Sequence, residues 1–320
     1  MNVSKRDASK PIAVIGAGLV GAGWALAFAR AGLNVRVYDA NPQTAASVIP
    51  WAAKQLSALY RHGLVSETPE NIAARLTVVA SLSEAIDGAA YVQESVLERV
   101  DVKRQLMLDL DQVADDNIII GSSTSGIKAS DFGNDLRISP RVIIAHPVNP
   151  PYLVPVVELV PSSQTSQATI TFTDAFMRDI GQSVVHVRKE VEGFVLNRLQ
   201  AALLREAWAL QRDGVASCED IDKTVRDGLG WRWSFMGPFE TIDLNAPGGV
   251  ADYANRLGPL YYSIMQSRTQ DGPWDEALIA QVEQDRRQHL SADDLASRRD
   301  WRDEQLMLFA ANRLKTGGNR

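Results

Sequence analysis

Six residues constrain this chain more than any others. Gly16-Ala17-Gly18-Leu19-Val20-Gly21 falls between a short apolar run, Pro11–Ile15, and an alanine-rich stretch of helical length, Leu19–Ala31, closed by Gly32. Each glycine of a G-x-G-x-x-G turn between strand and helix has its own task. Gly16 permits the tight turn, Gly18 lets the backbone approach a pyrophosphate, and Gly21 lets helix and strand pack closely. Leu19 and Val20 open the helix, whose free N–H groups face the anion. Asp39 ends the next apolar run, Val35–Tyr38. A carboxylate there accepts hydrogen bonds from ribose hydroxyls and repels a 2′-phosphate, so the motif reads as a site for NAD rather than NADP.

The same alternation continues. A helix is expected from Pro42 into Tyr60, then strand Leu76–Val79, helix Leu82–Ile86, strand Ala90–Gln93, helix Asp101–Val113, and strands at Asn117–Gly121 and Val142–Ala145. An extended segment Val154–Val160, helix Gln167–Ile180 and strand Ser183–His186 follow. Alternating strands and helices imply a parallel sheet. Beyond Glu192 every long segment reads as helix: Phe194–Arg212, Glu219–Asp227 with Ser217 as its cap, Pro238–Asn245, Val250–Leu257, Trp274–His289 and Ala292–Arg313. The expected fold class is α/β: an N-terminal Rossmann-type doubly wound sheet over residues 1–190, with a C-terminal all-α domain over 191–320. A chain of 320 residues, 45% of them hydrophobic, is long enough for each domain to have a core of its own. The closing segment Asp300–Lys315 reads as a solvated amphipathic helix.

Composition removes several classes of function. A net charge of −6 gives no positive field for nucleic acid or anionic lipid. The lone Cys218 can form no internal disulfide and has no companions at metal-ligand spacing, so no metal is expected. Met1–Lys10 lacks the apolar stretch of a signal peptide, and no later run approaches the ~20 apolar residues of a membrane span. A cytoplasmic protein is expected.

Of four histidines, only His146 ends an apolar strand, in Ile144-Ala145-His146-Pro147-Val148-Asn149-Pro150. That is the sheet edge where doubly wound folds bind ligands. Glu158 lies in an equally apolar stretch, Val156–Val160, where a carboxylate needs a partner to offset its desolvation. A His–Glu pair supplies one and makes His146 a candidate general base for a hydroxyl proton. Ser122-Ser123-Thr124-Ser125-Gly126 adds hydroxyls at the same edge, although such residues also serve simply as turn formers.

With these motifs the chain resembles the L-3-hydroxyacyl-CoA dehydrogenases, and within them the lambda-crystallin or L-gulonate 3-dehydrogenase branch, along nearly its whole length. Further marks of the resemblance are Gln93-Glu94 through Glu98 and Lys103, the Tyr152 that closes the His146 segment, Gly193-Phe194-Val195-Leu196-Asn197-Arg198-Leu199 and Trp301-Arg302-Asp303-Glu304. The resemblance implies His146 as base and Glu158 as its orienting partner. It implies Ser125 and Asn197 as groups that position the substrate oxygen, and Glu98, Lys103, Ser123 and Asn149 as contacts of the cofactor or its surroundings. It also implies an active site in a cleft between the domains and a homodimer formed through the helical domain.

One departure bears on substrate. Acyl-CoA members typically carry a tyrosine–proline pair before Met236-Gly237-Pro238-Phe239-Glu240, where this chain has Trp231-Arg232-Trp233-Ser234-Phe235. A guanidinium with flanking aromatics suits a free carboxylate, which L-gulonate and L-carnitine possess and a CoA thioester lacks. An interface arginine between tryptophans is the competing reading of Arg232. The expected reaction is oxidation of the C3 hydroxyl of a small hydroxy acid, L-gulonate to 3-dehydro-L-gulonate. L-carnitine and L-3-hydroxyacyl-CoA are the alternatives, and a non-catalytic, crystallin-like NAD-binding protein is the alternative of another class.

Overall fold

A computed structural model describes residues 10–268 and 272–316, so that all of Met1–Lys10 except its last residue lies outside the described residues. The apolar runs form eight strands: β1 (Ile12–Ile15), β2 (Val35–Tyr38), β3 (Leu76–Val78), β4 (Tyr91–Glu94), β5 (Ile119–Ser122), β6 (Val142–Pro147), β7 (Val156–Val160) and β8 (Ser183–His186). They make one sheet in the order β3-β2-β1-β4-β5-β6-β7-β8. Neighbours are parallel except β6 and β7. A loop of a few residues can join only antiparallel strands, whereas each parallel step needs a crossover. Connections from β1 and β4 leave toward opposite edges, which puts the topological switch point between these two strands.

The helices of this part are α1 (Leu19–Arg30), α2 (Pro42–Arg61), α3 (Pro69–Ala73), α4 (Leu82–Ile86), α5 (Val100–Val113), α6 (Ala129–Phe132) and α7 (Gln167–Asp179). Asn41 starts α2 by accepting from the Gln43 N–H at 3.0 Å, with Pro42 in the first helical position, where its missing donor costs nothing. The two faces of the sheet bury separate clusters. Ile12 and Val14 of β1 join Trp24, Phe28, Tyr91 and Met177, while Ala13 and Ile15 join Met107, Leu110, Phe132 and Phe194. This is the period-two alternation of a strand covered on both sides. Helices α3 and α6, each only a turn or so long, have no counterpart in the sequence reading.

The remaining helices are α8 (Leu196–Arg212), α9 (Cys218–Lys223), α10 (Gly230–Trp233), α11 (Pro238–Leu244), α12 (Gly249–Gln266), α13 (Glu276–His289) and α14 (Leu295–Lys315). Ser217 caps α9 as expected, accepting from the Asp220 N–H at 3.2 Å. Two expectations are corrected. The segment read as one helix over Glu219–Asp227 is α9 followed by a π-helical stretch, Thr224–Leu229, and α10. The helix expected to stop at Leu257 runs on to Gln266 with Pro259 inside it.

By compactness the chain divides after Arg198, and the part of α14 from Arg302 onward groups with the sheet. Among the described residues, neither large buried apolar cluster includes a residue of the second unit, Leu199–Trp301, whose buried apolar side chains are Ala209, Ala246 and Leu278, and α12 buries none of its side chains. The closing helix is not simply solvated. Met307 is 1% exposed within the first cluster, and Leu306 packs against that cluster. Among the described residues no helix is long and apolar enough to cross a membrane.

Candidate active site

At the switch point the glycines behave as their chemistry demands. Gly16 has φ +93°, and a Cβ there would stand 2.4 Å from the Ser95 carbonyl oxygen; a Cβ on Gly21 would stand 1.8 Å from the Gly16 oxygen. Gly18 differs. Its Cβ position has nothing within 4 Å, and it caps α1 with no side chain bonded to the free N–H groups and no acid in the first turn. Leu19 and Val20 form that first turn, Leu19 exposed and Val20 packed on the core. Asp39 accepts from the Ala17 N–H at 2.7 Å through Oδ2 and from the Asn41 N–H at 2.8 Å through Oδ1. The carboxylate is thereby fixed beside the turn, and its remaining lone pairs stay available to a ribose. An uncapped helix N-terminus, an open approach at Gly18 and a fixed acid suit a dinucleotide with a free 2′-hydroxyl.

Strand pairing assembles the dyad. In the antiparallel β6–β7 ladder His146 stands opposite Glu158, and Nδ1 lies 2.8 Å from Oε2. Both side chains are buried. The other carboxylate oxygen, Oε1, accepts from the Val195 and Leu196 N–H groups, each at 2.9 Å, in the turn that opens α8. Burial of Glu158 opposes ionisation, but the His146 bond and the two backbone donors outweigh it and hold the carboxyl below its ordinary 4.5. A carboxylate at Nδ1 selects the tautomer protonated there, which leaves the Nε2 lone pair to take a proton.

The hydrogen bonds continue from α8. Asn197 donates through Nδ2 to the Ser125 carbonyl at 2.7 Å. From the other side Glu98 Oε1 accepts from the Ser125 N–H at 2.6 Å, the Thr124 hydroxyl at 2.7 Å and the Gly126 N–H at 3.3 Å. The Ser125 peptide is thus held at both its N–H and its carbonyl, with its side chain exposed. Although burial raises the Glu98 carboxyl, the Thr124 hydroxyl, Lys103 and the Ser125 N–H together lower it. Lys103, expected among the cofactor contacts, is 1% exposed, with Nζ 2.9 Å from Glu94 Oε1 and 3.2 Å from Glu98 Oε2. It holds Glu98 in place.

Ser123 is buried too. Its hydroxyl meets Gln93 Nε2 and Ser95 Oγ, both at 2.8 Å, and Gln93 also donates to the Ala145 carbonyl next to His146. Asn149 is exposed in the β6–β7 loop, which is seated by Pro151 against Gly23 of α1. Arg232 lies on α10 in the second unit, half-buried, and among the described residues it forms no ion pair and has no ring over its guanidinium. Trp231 and Trp233 do not stack on it for a geometric reason: on a helix, residues i−1 and i+1 point away from residue i. Cys218 has its thiol pushed up to about 11 by burial and by Asp285, which makes it a poor nucleophile.

The sequence reading assigned no role to Glu94, Thr124 or Phe194. Glu94 ends the apolar strand β4 much as Glu158 sits in β7, and the same rule about buried carboxylates points to it. It is fully buried, bonded to Lys103, to the Val96 N–H at 2.7 Å and to the Ser122 hydroxyl.

Comparison with known proteins agrees with this geometry. Residues 11–191 match the family model described as "3-hydroxyacyl-CoA dehydrogenase, NAD binding domain", and residues 193–284 match its C-terminal domain. Lambda-crystallin of Oryctolagus cuniculus is 39% identical over 307 residues, 95% of this chain and 96% of the relative. An L-carnitine dehydrogenase of Pseudomonas syringae pv. syringae is 39% identical over 251 residues, 78% of each chain. The crystal structure of a 5-formyl-3-hydroxy-2-methylpyridine 4-carboxylic acid 5-dehydrogenase superposes with a TM-score of 0.81 over 97% of this chain and 99% of that one, at 24% identity, which speaks for the fold alone.

Proposed function

The chain belongs to the 3-hydroxyacyl-CoA dehydrogenase family, as an NAD-dependent oxidoreductase of CH–OH groups, and from that premise we propose that it oxidises the C3 hydroxyl of a small free hydroxy acid, L-gulonate to 3-dehydro-L-gulonate. The observation that carries the chemistry is the unbroken run of hydrogen bonds from His146 through Glu158 and the start of α8 to Asn197, Ser125 and Glu98. NAD, when bound, supplies the hydride acceptor. His146 Nε2 takes the hydroxyl proton as hydride leaves C3. Glu158 stabilises the imidazolium that results, a contribution of roughly 10²–10⁴ in rate for general-base work. Ser125 and Asn197 orient the substrate oxygen. Gly16, Gly18, Leu19, Val20 and Gly21 cradle the pyrophosphate, Asp39 takes the ribose, and Glu98, Ser123 and Asn149 form the surroundings of the cofactor, with Lys103 acting through Glu98.

Two features support this reading. Similarity to lambda-crystallin extends over 95% of the chain, against 78% for the carnitine dehydrogenase, which supports the lambda-crystallin branch over the carnitine one. Arg232, with no ion pair among the described residues, is a guanidinium available to an anion. The deciding test follows NADH absorbance on adding NAD and, in turn, L-gulonate, L-carnitine, 3-hydroxybutyrate and 3-hydroxybutyryl-CoA. Gulonate should have the highest kcat/KM. Faster turnover of carnitine would move the assignment to the second relative's activity, and silence across the panel would make the protein an NAD binder without catalysis. Arg232→Ala should raise KM for the carboxylate by about tenfold, the worth of one charge-assisted bond, and leave a neutral amide of the same acid unaffected. Equal weakening of both substrates would remove Arg232 from the substrate site.

A further inference from the structure

Phe194 occupies a conformation that phenylalanine ordinarily avoids. Its φ is +51°, next to Gly193 at +72°, and among the described residues Asp135 is the one other non-glycine with positive φ. Steric crowding of Cβ makes this region unfavourable for a bulky residue, and such strain persists only where the surroundings over-determine it. Three observations locate what determines it here. The Phe194 N–H donates to the Val191 carbonyl at 3.1 Å, closing the turn. The next two N–H groups, of Val195 and Leu196, both point at Glu158 Oε1. The ring itself is fully buried and lies against the His146 imidazole, with centroids 5.6 Å apart and planes tilted by 59°.

A glycine at 194 would give the same turn without strain, and the two donors to Glu158 would survive. What glycine could not supply is the ring. The imidazole is tied to its partner by a single bond at Nδ1, and the terminal torsion of histidine is broad and roughly two-fold, so one bond leaves the ring free to swing about it. We propose that Phe194 is a positioning residue for the proposed base: its ring walls the imidazole of His146 so that Nδ1 stays on Glu158 and Nε2 keeps one direction. The strained backbone is the geometry that delivers both the ring and the two N–H groups from three successive residues. Glu158 and Phe194 then fix the same imidazole by different means, one at an atom and the other across a face.

The inference rests on His146 as the base, and its test is chosen to be separable from that reading. Phe194→Gly deletes the ring while suiting the turn, and Phe194→Leu keeps apolar volume without a planar wall. In ¹⁵N spectra of the imidazoles, the parent should show His146 as one tautomer, protonated at Nδ1; Phe194→Gly should show averaging between tautomers or exchange broadening. In turnover, Phe194→Gly should lower kcat by about tenfold or more with KM for NAD within twofold, and Phe194→Leu should recover part of the loss. If Phe194→Gly does not fold, Phe194→Leu alone decides, by the same two readouts. An unchanged His146 spectrum with kcat within twofold of the parent in the folded variant would overturn the proposal and leave Phe194 a core residue. Should the parent turn over no substrate at all, the base assignment fails, while the imidazole spectra still decide what Phe194 does.

Discussion

At the scale of single residues, the carboxylate of Glu158 is shared between two tasks, and the consequences differ for its two oxygens. Oε2 holds the imidazole, and Oε1 caps the turn before α8. His146→Gln and Glu158→Gln should each lower kcat by roughly 10²–10⁴ with little change in NAD affinity, and the double variant should be no worse than the weaker single. Multiplication of the two losses in steady-state kinetics would show the residues acting independently. Because the Glu158 carboxyl is depressed in the folded protein, the stability it contributes is complete above its ordinary value of 4.5 and is lost as pH falls through the folded value. Denaturant melts should therefore show the parent losing stability below that pH more steeply than Glu158→Gln, and parallel curves would contradict the depressed pKa. Asp39 would also have two roles, since it pins Ala17 in the glycine turn as well as being proposed to take the ribose. Asp39→Ala should consequently raise KM for NAD while it narrows the preference over NADP, whereas a carboxylate that only repelled phosphate would leave NAD unaffected. Comparable efficiency with both cofactors in the parent would refute the assignment outright.

Elements show where sequence reasoning succeeded and why it stopped. The strands and α1 were legible because their signals are local: apolar runs, a glycine turn, a cap. The dyad was legible for a related reason, since a polar residue inside an apolar strand advertises a need for a partner. Helix α14 was legible as a helix but its seating was not, because what seats it is far away in the chain. Its Asp303 lies 3.1 Å from the hydroxyl of Tyr152, in the β6–β7 loop, and Glu304 lies 2.6 Å from His62 at the end of α2. Tyr152 also meets Gln55 of α2 at 3.2 Å and stands edge-on to Trp51. Composition alone shows a charged helix with a few apolar residues, and only the contact reveals which of them are buried. The strain at Phe194 was hidden likewise, because two of the groups that surround it, Glu158 at the next two N–H groups and His146 at the ring, lie far away in the chain, in β7 and β6. If α14 is seated in this way, Met307→Ala should cost about 2–5 kcal/mol, as for a buried methionine, and Asp303→Asn and Tyr152→Phe should each cost about 1 kcal/mol and couple in a double-mutant cycle. Thermal melts give the check. A cost below about 0.5 kcal/mol for Met307→Ala is what a solvated closing helix would show.

For the whole molecule, the telling feature is a helical unit with few buried apolar side chains among its described residues, Ala209, Ala246 and Leu278. Trp231 is 70% exposed and Phe239 79%, and Phe235, Leu260, Tyr262 and Met265 are also exposed. Monomeric proteins rarely show contiguous apolar patches beyond a few hundred Å², because that surface is driven out of water at roughly 25 cal/mol per Å². Helix α12 packs against α11 and buries no side chain fully in its 18 residues, so much of its apolar surface stays in water. A second copy would offer the same face in return, and a two-fold arrangement would bury it on both partners at once, within the ~1,200–2,000 Å² of a specific interface or above it. The expectation is a homodimer through Leu199–Trp301. Sedimentation at micromolar concentration should give twice the chain mass, and the melting temperature should rise with protein concentration, as it must when association stabilises the folded state. Met265→Glu or Phe239→Lys, placing a charge where apolar groups meet, should weaken association by about thirtyfold or more, the effect of an interface residue contributing about 2 kcal/mol. The dissociated variants should also unfold at lower temperature, because dissociation would return that apolar surface to water. A parent that sediments as a monomer, with a melting temperature independent of concentration, would show that the helical unit is stable with this surface in water.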